Sequence, residues 1–135
     1  MIGILIVAHD PVASSFVEAI RHVLGSVPPQ MAALDVARDA KPEAVFERAQ
    51  NLVVQLDGGE GVLVCSDVCG ATPCNIATRL NLTGKVNVLS GLNLPMLLRA
   101  INYRNLSLTE LTEKAAEGAR NGVMQMERSD VARKN

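Results

Sequence analysis

At 135 residues the chain has the length for one domain with a sizeable core, and too little for two domains of ordinary size. With 48% hydrophobic and 20% charged residues it is a globular rather than a disordered sequence. A net charge of −1 and 2% aromatic content leave neither the basic footprint nor the stacking platforms that nucleic-acid binding uses. No apolar run approaches the ~20 residues that span a bilayer and no basic-then-apolar leader opens the chain, so the expectation is a cytoplasmic protein without membrane insertion.

Ile2 to Ala8 is continuously apolar and rich in β-branched residues, the pattern of a strand buried on both faces of a parallel sheet. His9, Asp10 and Pro11 follow. Asp caps helices and Pro suits a first helical position, so a helix capped by Asp10 is expected to run through Phe16, Ile20 and Leu24 to Gly25. Met31 to Ala37 reads as a second strand, interrupted by Asp35, and Pro42 opens a helix that Gly58-Gly59 ends. Gly61 to Ser66 is the third strand. The helix behind Thr72-Pro73 carries Ile76, Ala77 and Leu80 and fades at Leu82-Thr83-Gly84. Lys85 to Ser90, shorter and more alternating, suits an edge strand. A helix follows Pro95, and the capping-box pattern Ser107-x-x-Glu110 predicts a last helix from about Leu108 to Gly122.

Four strands alternating with helices specify a doubly wound α/β fold: a mainly parallel four-stranded sheet in the order 2-1-3-4 with helices on both faces. The run Gly122 to Met126 offers a possible extra C-terminal antiparallel edge strand. The expected organisation is one domain over residues 1–124 and a polar tail over 125–135. In such sheets ligands sit at the carboxyl ends of the strands where the order reverses, here between strands one and three. His9 and Asp67 stand at those two ends.

A histidine is nucleophilic near neutral pH without a base beside it, provided one ring nitrogen holds the proton against an acceptor. Asp67 is placed to accept from Nδ1–H, turn Nε2 outward and stabilise the positive charge that builds as a bond forms. Gly70, Ala71, Thr72 and Asn75 then surround a helix N-terminus, where free N–H groups and the helix dipole favour an anion. There is no Walker lysine, no G-x-G-x-x-G after the first strand and no evident carboxylate triad for a metal, so no cofactor and no metal are implied. A phosphoryl group passed onto His9, with the loop around its oxygens, fits these residues. Each residue also has a plainer reading. His9 suits a structural role at a strand end, Asp67 a turn cap and Thr72 a helix cap, while Asn75 either bonds the loop or sits in water and His22 is a surface residue. Cys65, Cys69 and Cys74, spaced C-x3-C-x4-C, match neither a zinc knuckle nor a C-x-x-C redox motif; Cys65 reads as a core residue and the others as small side chains lining a loop. A cysteine-based redox or metal protein is the competing class.

Three segments carry a family resemblance: IGILIVAH at the start, GVLVCSDVCGATPCNIATR with its Asp followed by G-x-[ST]-P-x-N, and VLSGLNLPML. Together, over the first hundred residues, they resemble the IIA component, mannose family, of the bacterial phosphoenolpyruvate-dependent sugar phosphotransferase system. The resemblance implies that His9 is phosphorylated by the phosphohistidine of the carrier HPr and passes the group to a IIB component. It implies that Asp67 orients His9 and that Thr72, where Ser is usual, contacts the phosphoryl group. It also implies a homodimer that exchanges a C-terminal strand. The sequence departs from the family where Asp10 replaces the usual Gly, Cys69 a larger aromatic and Ala71 a Gly. No IIB domain follows, so the acceptor is expected on a separate chain; a stand-alone regulatory module read by another protein is the alternative.

Overall fold

The computed structural model describes residues 1–81 and 85–127. The predicted fading of the third helix at Leu82-Thr83-Gly84 and the tail from residue 128 onward lie outside the described residues. The strands are β1 (Gly3–His9), β2 (Met31–Val36), β3 (Val62–Ser66) and β4 (Val86–Leu89). The helices are α1 (Val12–Leu24), α2 (Pro42–Leu56), α3 (Thr72–Leu80), α4 (Leu94–Asn102) and α5 (Leu108–Asn121). All three ladders are parallel and the order is β2-β1-β3-β4, the predicted arrangement.

The alternation of side chains along a strand divides the core into two layers. From β1, Ile4, Ile6 and Ala8 meet Ala13 and Ile20 of α1, Leu97 of α4 and Leu111 of α5. Leu5 and Val7 point the other way, onto Ala49 and Val53 of α2 and Ile76 and Leu80 of α3. In β3, Leu63 and Cys65 join the first layer, Val62 and Val64 the second. Every residue from Ile2 to Ala8 is therefore fully buried, which is why both central strands need an unbroken apolar run. Burial also pushes the Cys65 thiol up to about 12, so it carries no thiolate.

Helix ends follow local chemistry where the capping residue is adjacent in sequence. The Ser107 hydroxyl accepts from Glu110 N–H at 3.2 Å and donates to Glu110 Oε1 at 2.9 Å, closing the capping box through the side chains. Asn93 caps α4, its Oδ1 accepting from Met96 N–H at 2.9 Å. The cap expected from sequence at α1 is not formed. Pro11, not Asp10, is its N-cap, Val12 is its first residue, and no side chain of the cap bonds the helix. The Asp10–Pro11 peptide is cis. The acceptor comes from the neighbouring strand: Asp35 Oδ1, in β2, takes the Ser14 N–H at 3.0 Å. Asp35 thus breaks the apolar run of β2 in order to close a helix end, and Asp10 stays exposed.

Gly122–Met126 forms no strand in the single chain. The Val123 N–H stays on Arg120 O at 3.3 Å, prolonging the helical turn, and residues 123–127 join no ladder. Where α4 and α5 cross, a Cβ on Gly118 would stand 2.8 Å from Arg99 Cβ, so only glycine allows that approach. No helix among the described residues is long and apolar enough to cross a membrane.

The far end of the sheet is closed by a buried cation. Arg104 is 4% exposed, and its guanidinium donates to Ile2 O at 2.8 Å, to Gln30 O at 2.7 Å and to Pro29 O. One planar fork donates to three carbonyls and ties the start of β1 to the loop before β2, Gln30 O also accepting from the Ile4 N–H at 3.0 Å. Replacing Arg104 with Leu is expected to cost about 3 kcal/mol, read as a lower urea midpoint, because Ile2 O and Pro29 O lose the guanidinium donor and Gln30 O is left with the Ile4 N–H alone. Lys is expected to recover only part of the loss; a Leu variant as stable as wild type would contradict this role.

Candidate active site at the ends of β1 and β3

β1 and β3 run side by side with Val7 opposite Ser66, so the next residues overhang the same edge of the sheet. The ladder stops there and Asp67 continues it with its side chain. Its Oδ2 accepts from the His9 backbone N–H at 3.0 Å and lies 2.7 Å from His9 Nδ1, while Oδ1 accepts from Val68 N–H at 2.9 Å. Because an ionised carboxylate only accepts, the contact assigns the proton to Nδ1, and in the neutral ring that leaves the lone pair on Nε2. The His9 side chain is 50% exposed and that of Asp67 only 14%, so the acid is enclosed behind a ring that faces outward.

Partial burial alone would raise the Asp67 pKa. The hydrogen bonds from the His9 backbone, the His9 ring and Val68 N–H outweigh it and hold the carboxyl below its ordinary range. A depressed carboxyl stabilises the fold above the unfolded value of about 3.9, and that contribution fades as the pH falls through the folded value.

His9 opens into a cleft of about 330 Å³ between the start of α1, the loop after β2 and the start of α3. Asp10, Arg38 and Thr72 line it with His9, against apolar walls from Val36, Pro42 and Pro73. At its floor Asp10 N–H is held by Val36 O at 3.1 Å. Gly70 takes φ +90°, a left-handed conformation in which glycine is the unstrained choice, and turns the chain from β3 toward α3. Ala71 is then the N-cap of α3, extended at φ −102° and ψ 166°, with no side-chain cap. Thr72 occupies the first helical position rather than the cap, exposed, and its hydroxyl makes no hydrogen bond among the described residues. Pro73 has no N–H to contribute. The α3 terminus is thus uncapped and opens on the same cleft.

Asn75 lies on α3 and is exposed; its backbone N–H bonds Ala71 O at 3.0 Å, and its side chain bonds nothing among the described residues. His22 is exposed on α1. Cys69 is exposed in the loop as expected, whereas Cys74 is a buried residue of α3 rather than a loop side chain, because the helix begins two residues earlier. Among the described residues no three His, Cys, Asp or Glu side chains gather as a metal site would require. The structure brings together His9, Asp67 and Thr72, and adds Arg38, which the sequence reading did not single out. The signal for Arg38 was available: it follows the second strand directly, and in the order 2-1-3-4 that strand end flanks the end of the first.

The family profile described as "PTS system fructose IIA component" matches residues 3–117. The chain is 34% identical over 113 residues to the "Transcriptional regulatory protein LevR" of Bacillus subtilis (strain 168), an alignment covering 79% of this chain and 12% of that protein. It is 28% identical over 133 residues to the "PTS system mannose-specific EIIAB component" of Escherichia coli (strain K12), covering 96% of this chain and 41% of that protein. The chain therefore spans less than half the length of either relative. Its fold superposes with a TM-score of 0.84 on the crystal structure of phosphotransferase system component EIIA from Streptococcus agalactiae, at 26% identity, covering 93% of this chain and 97% of that one. With a parallel 2-1-3-4 sheet and a profile match over residues 3–117, the chain belongs to the mannose/fructose-type IIA family of the phosphotransferase system.

Proposed function

We propose that the chain is a phosphohistidine carrier of the phosphoenolpyruvate-dependent sugar phosphotransferase system, taking a phosphoryl group from phospho-HPr on His9 and passing it to a IIB component on a separate chain. The observation that carries the reading is the 2.7 Å contact between His9 Nδ1 and Asp67 Oδ2, behind a ring half open to the cleft. In the transfer, the Nε2 lone pair forms the new N–P bond as the N–P bond to the donor imidazole breaks, and that electron pair returns to the donor nitrogen. The Nδ1 proton stays on the ring, and Asp67 stabilises the positive charge of the phosphorylated imidazole. Thr72, with its unbonded hydroxyl at the opening of α3, and the Gly70–Ala71 backbone are assigned to the phosphoryl oxygens. Asn75 is the weakest member of that set, because it is exposed and its side chain bonds nothing among the described residues. The work is done in the cytoplasm, where HPr resides.

The LevR likeness favours a second reading, in which phosphorylation of the same histidine controls binding to another protein. Both readings require His9 as the acceptor. Incubation with phosphoenolpyruvate, enzyme I and HPr is expected to add one acid-labile phosphate, lost in His9→Ala and retained when Cys65, Cys69 and Cys74 are blocked. Uptake by His9→Ala, or its loss on thiol blocking alone, would contradict the assignment. Transfer onward to a IIB component separates the carrier from the regulator.

The proposal includes a homodimer. Its support is an exposed apolar run after α5, with Val123 80%, Met124 69% and Met126 47% exposed, beside the edge strand β4 and a cleft lined by Leu89, Ser90 and Val123. Light scattering is expected to return twice the chain mass, and truncation after Asn121 to return the monomer. A full-length chain that remains monomeric at all concentrations would rule this out.

A further inference from the structure

Asp10 and Arg38 are the charged residues that line the His9 cleft, and neither side chain has a partner among the described residues. Asp10 is exposed and its side chain caps nothing, since Asp35 serves α1 in its place. Arg38 is exposed on the loop after β2 and makes no hydrogen bond, ion pair or ring contact among the described residues. A phosphoryl dianion on Nε2 would stand before Asp67 and beside Asp10, two negative charges, with the uncapped N-terminus of α3 as partial compensation. A guanidinium is always charged and its fork matches two phosphate oxygens.

We propose that Arg38 is a phosphoryl-contacting residue of this cleft, donating to the phosphoryl oxygens on His9 and offsetting the carboxylate of Asp10. The inference rests on His9 being the acceptor and adds the group that holds what His9 accepts. The juxtaposition follows from the sheet order: β2 lies beside β1, so the loop after β2 delivers its first long side chain to the cleft that His9 enters from β1. Because this cation belongs to the chain itself, it acts on any phosphoryl donor, whether or not a partner protein is docked.

That independence sets the test. His9 phosphorylation is followed with phosphoramidate, a small donor with no protein surface, and separately with phospho-HPr. Arg38→Ala is expected to slow labelling by phosphoramidate about ten-fold and to shorten the lifetime of the phosphorylated form, with Arg38→Lys intermediate because it keeps the charge without the fork. Adding Asp10→Asn to Arg38→Ala is expected to recover part of the lost rate, by removing the charge that Arg38 offsets. The thermal midpoint is expected to stay put, since the exposed side chain makes no hydrogen bond, ion pair or ring contact among the described residues. An Arg38→Ala rate within about two-fold of wild type with phosphoramidate overturns the inference, even if phospho-HPr reacts slowly, because the arginine then serves docking. A double variant no faster than Arg38→Ala overturns the offset of Asp10. A wild-type chain that takes no phosphate on His9 from either donor fails the carrier reading itself, an outcome distinct from both.

Discussion

One oxygen of Asp67 accepts from both the backbone and the ring of His9, and the candidate site follows from that double contact. The backbone bond extends the β1–β3 ladder past its last pair, Val7 with Ser66, by substituting a side chain for a strand. The ring bond then fixes an imidazole that would otherwise rotate freely at a solvent-facing strand end. A hydrogen bond to an ionised carboxylate stabilises by about 1.5 kcal/mol at a partly exposed position, against roughly 0.5–1 kcal/mol of rotamer freedom lost, so the oriented ring wins. Neither contact would exist if β1 and β3 were not parallel neighbours, and their pairing rests on two fully buried apolar runs packed by helices on both faces.

The charges around this pair are arranged asymmetrically. Asp67 is enclosed and hydrogen-bonded on both oxygens; Asp10 is open to water and, among the described residues, bonded only through its backbone. Facing them are the uncapped start of α3 and Arg38, at the rim of the same cleft. The opposite end of the sheet is the reverse case: Arg104 is buried and donates to three carbonyls, whereas the Arg38 side chain has no hydrogen bond or ion pair among the described residues.

What was legible in the sequence follows from how local the determining interaction is. The continuous runs Ile2–Ala8 and Val62–Ser66 carry their own burial, and with the alternation of strands and helices they specify the sheet order that brings His9 to Asp67. The Ser107–Glu110 cap lies within one turn and was equally readable. Asp10 was not, because the rule that makes Asp before Pro a cap is blind to Asp35, which takes the role from the adjacent strand. Arg38 was hidden for the same reason: its significance lies in which strand ends and helix starts share a cleft, whereas Thr72 was legible from its place before Pro73 at a helix start. The run after Gly122 reads as a strand by composition, yet within one chain its first amide stays with the helix.

Phosphoryl transfer through Nε2 depends on the tautomer and orientation of the His9 ring. A ¹H–¹⁵N correlation spectrum of the histidine rings at pH 8, where an ordinary imidazole is neutral, tests it directly. The prediction is a His9 ring protonated at Nδ1 with an unprotonated Nε2, a pattern lost in Asp67→Ala. A His9 ring protonated at Nε2, or one indistinguishable from the exposed His22, would contradict it.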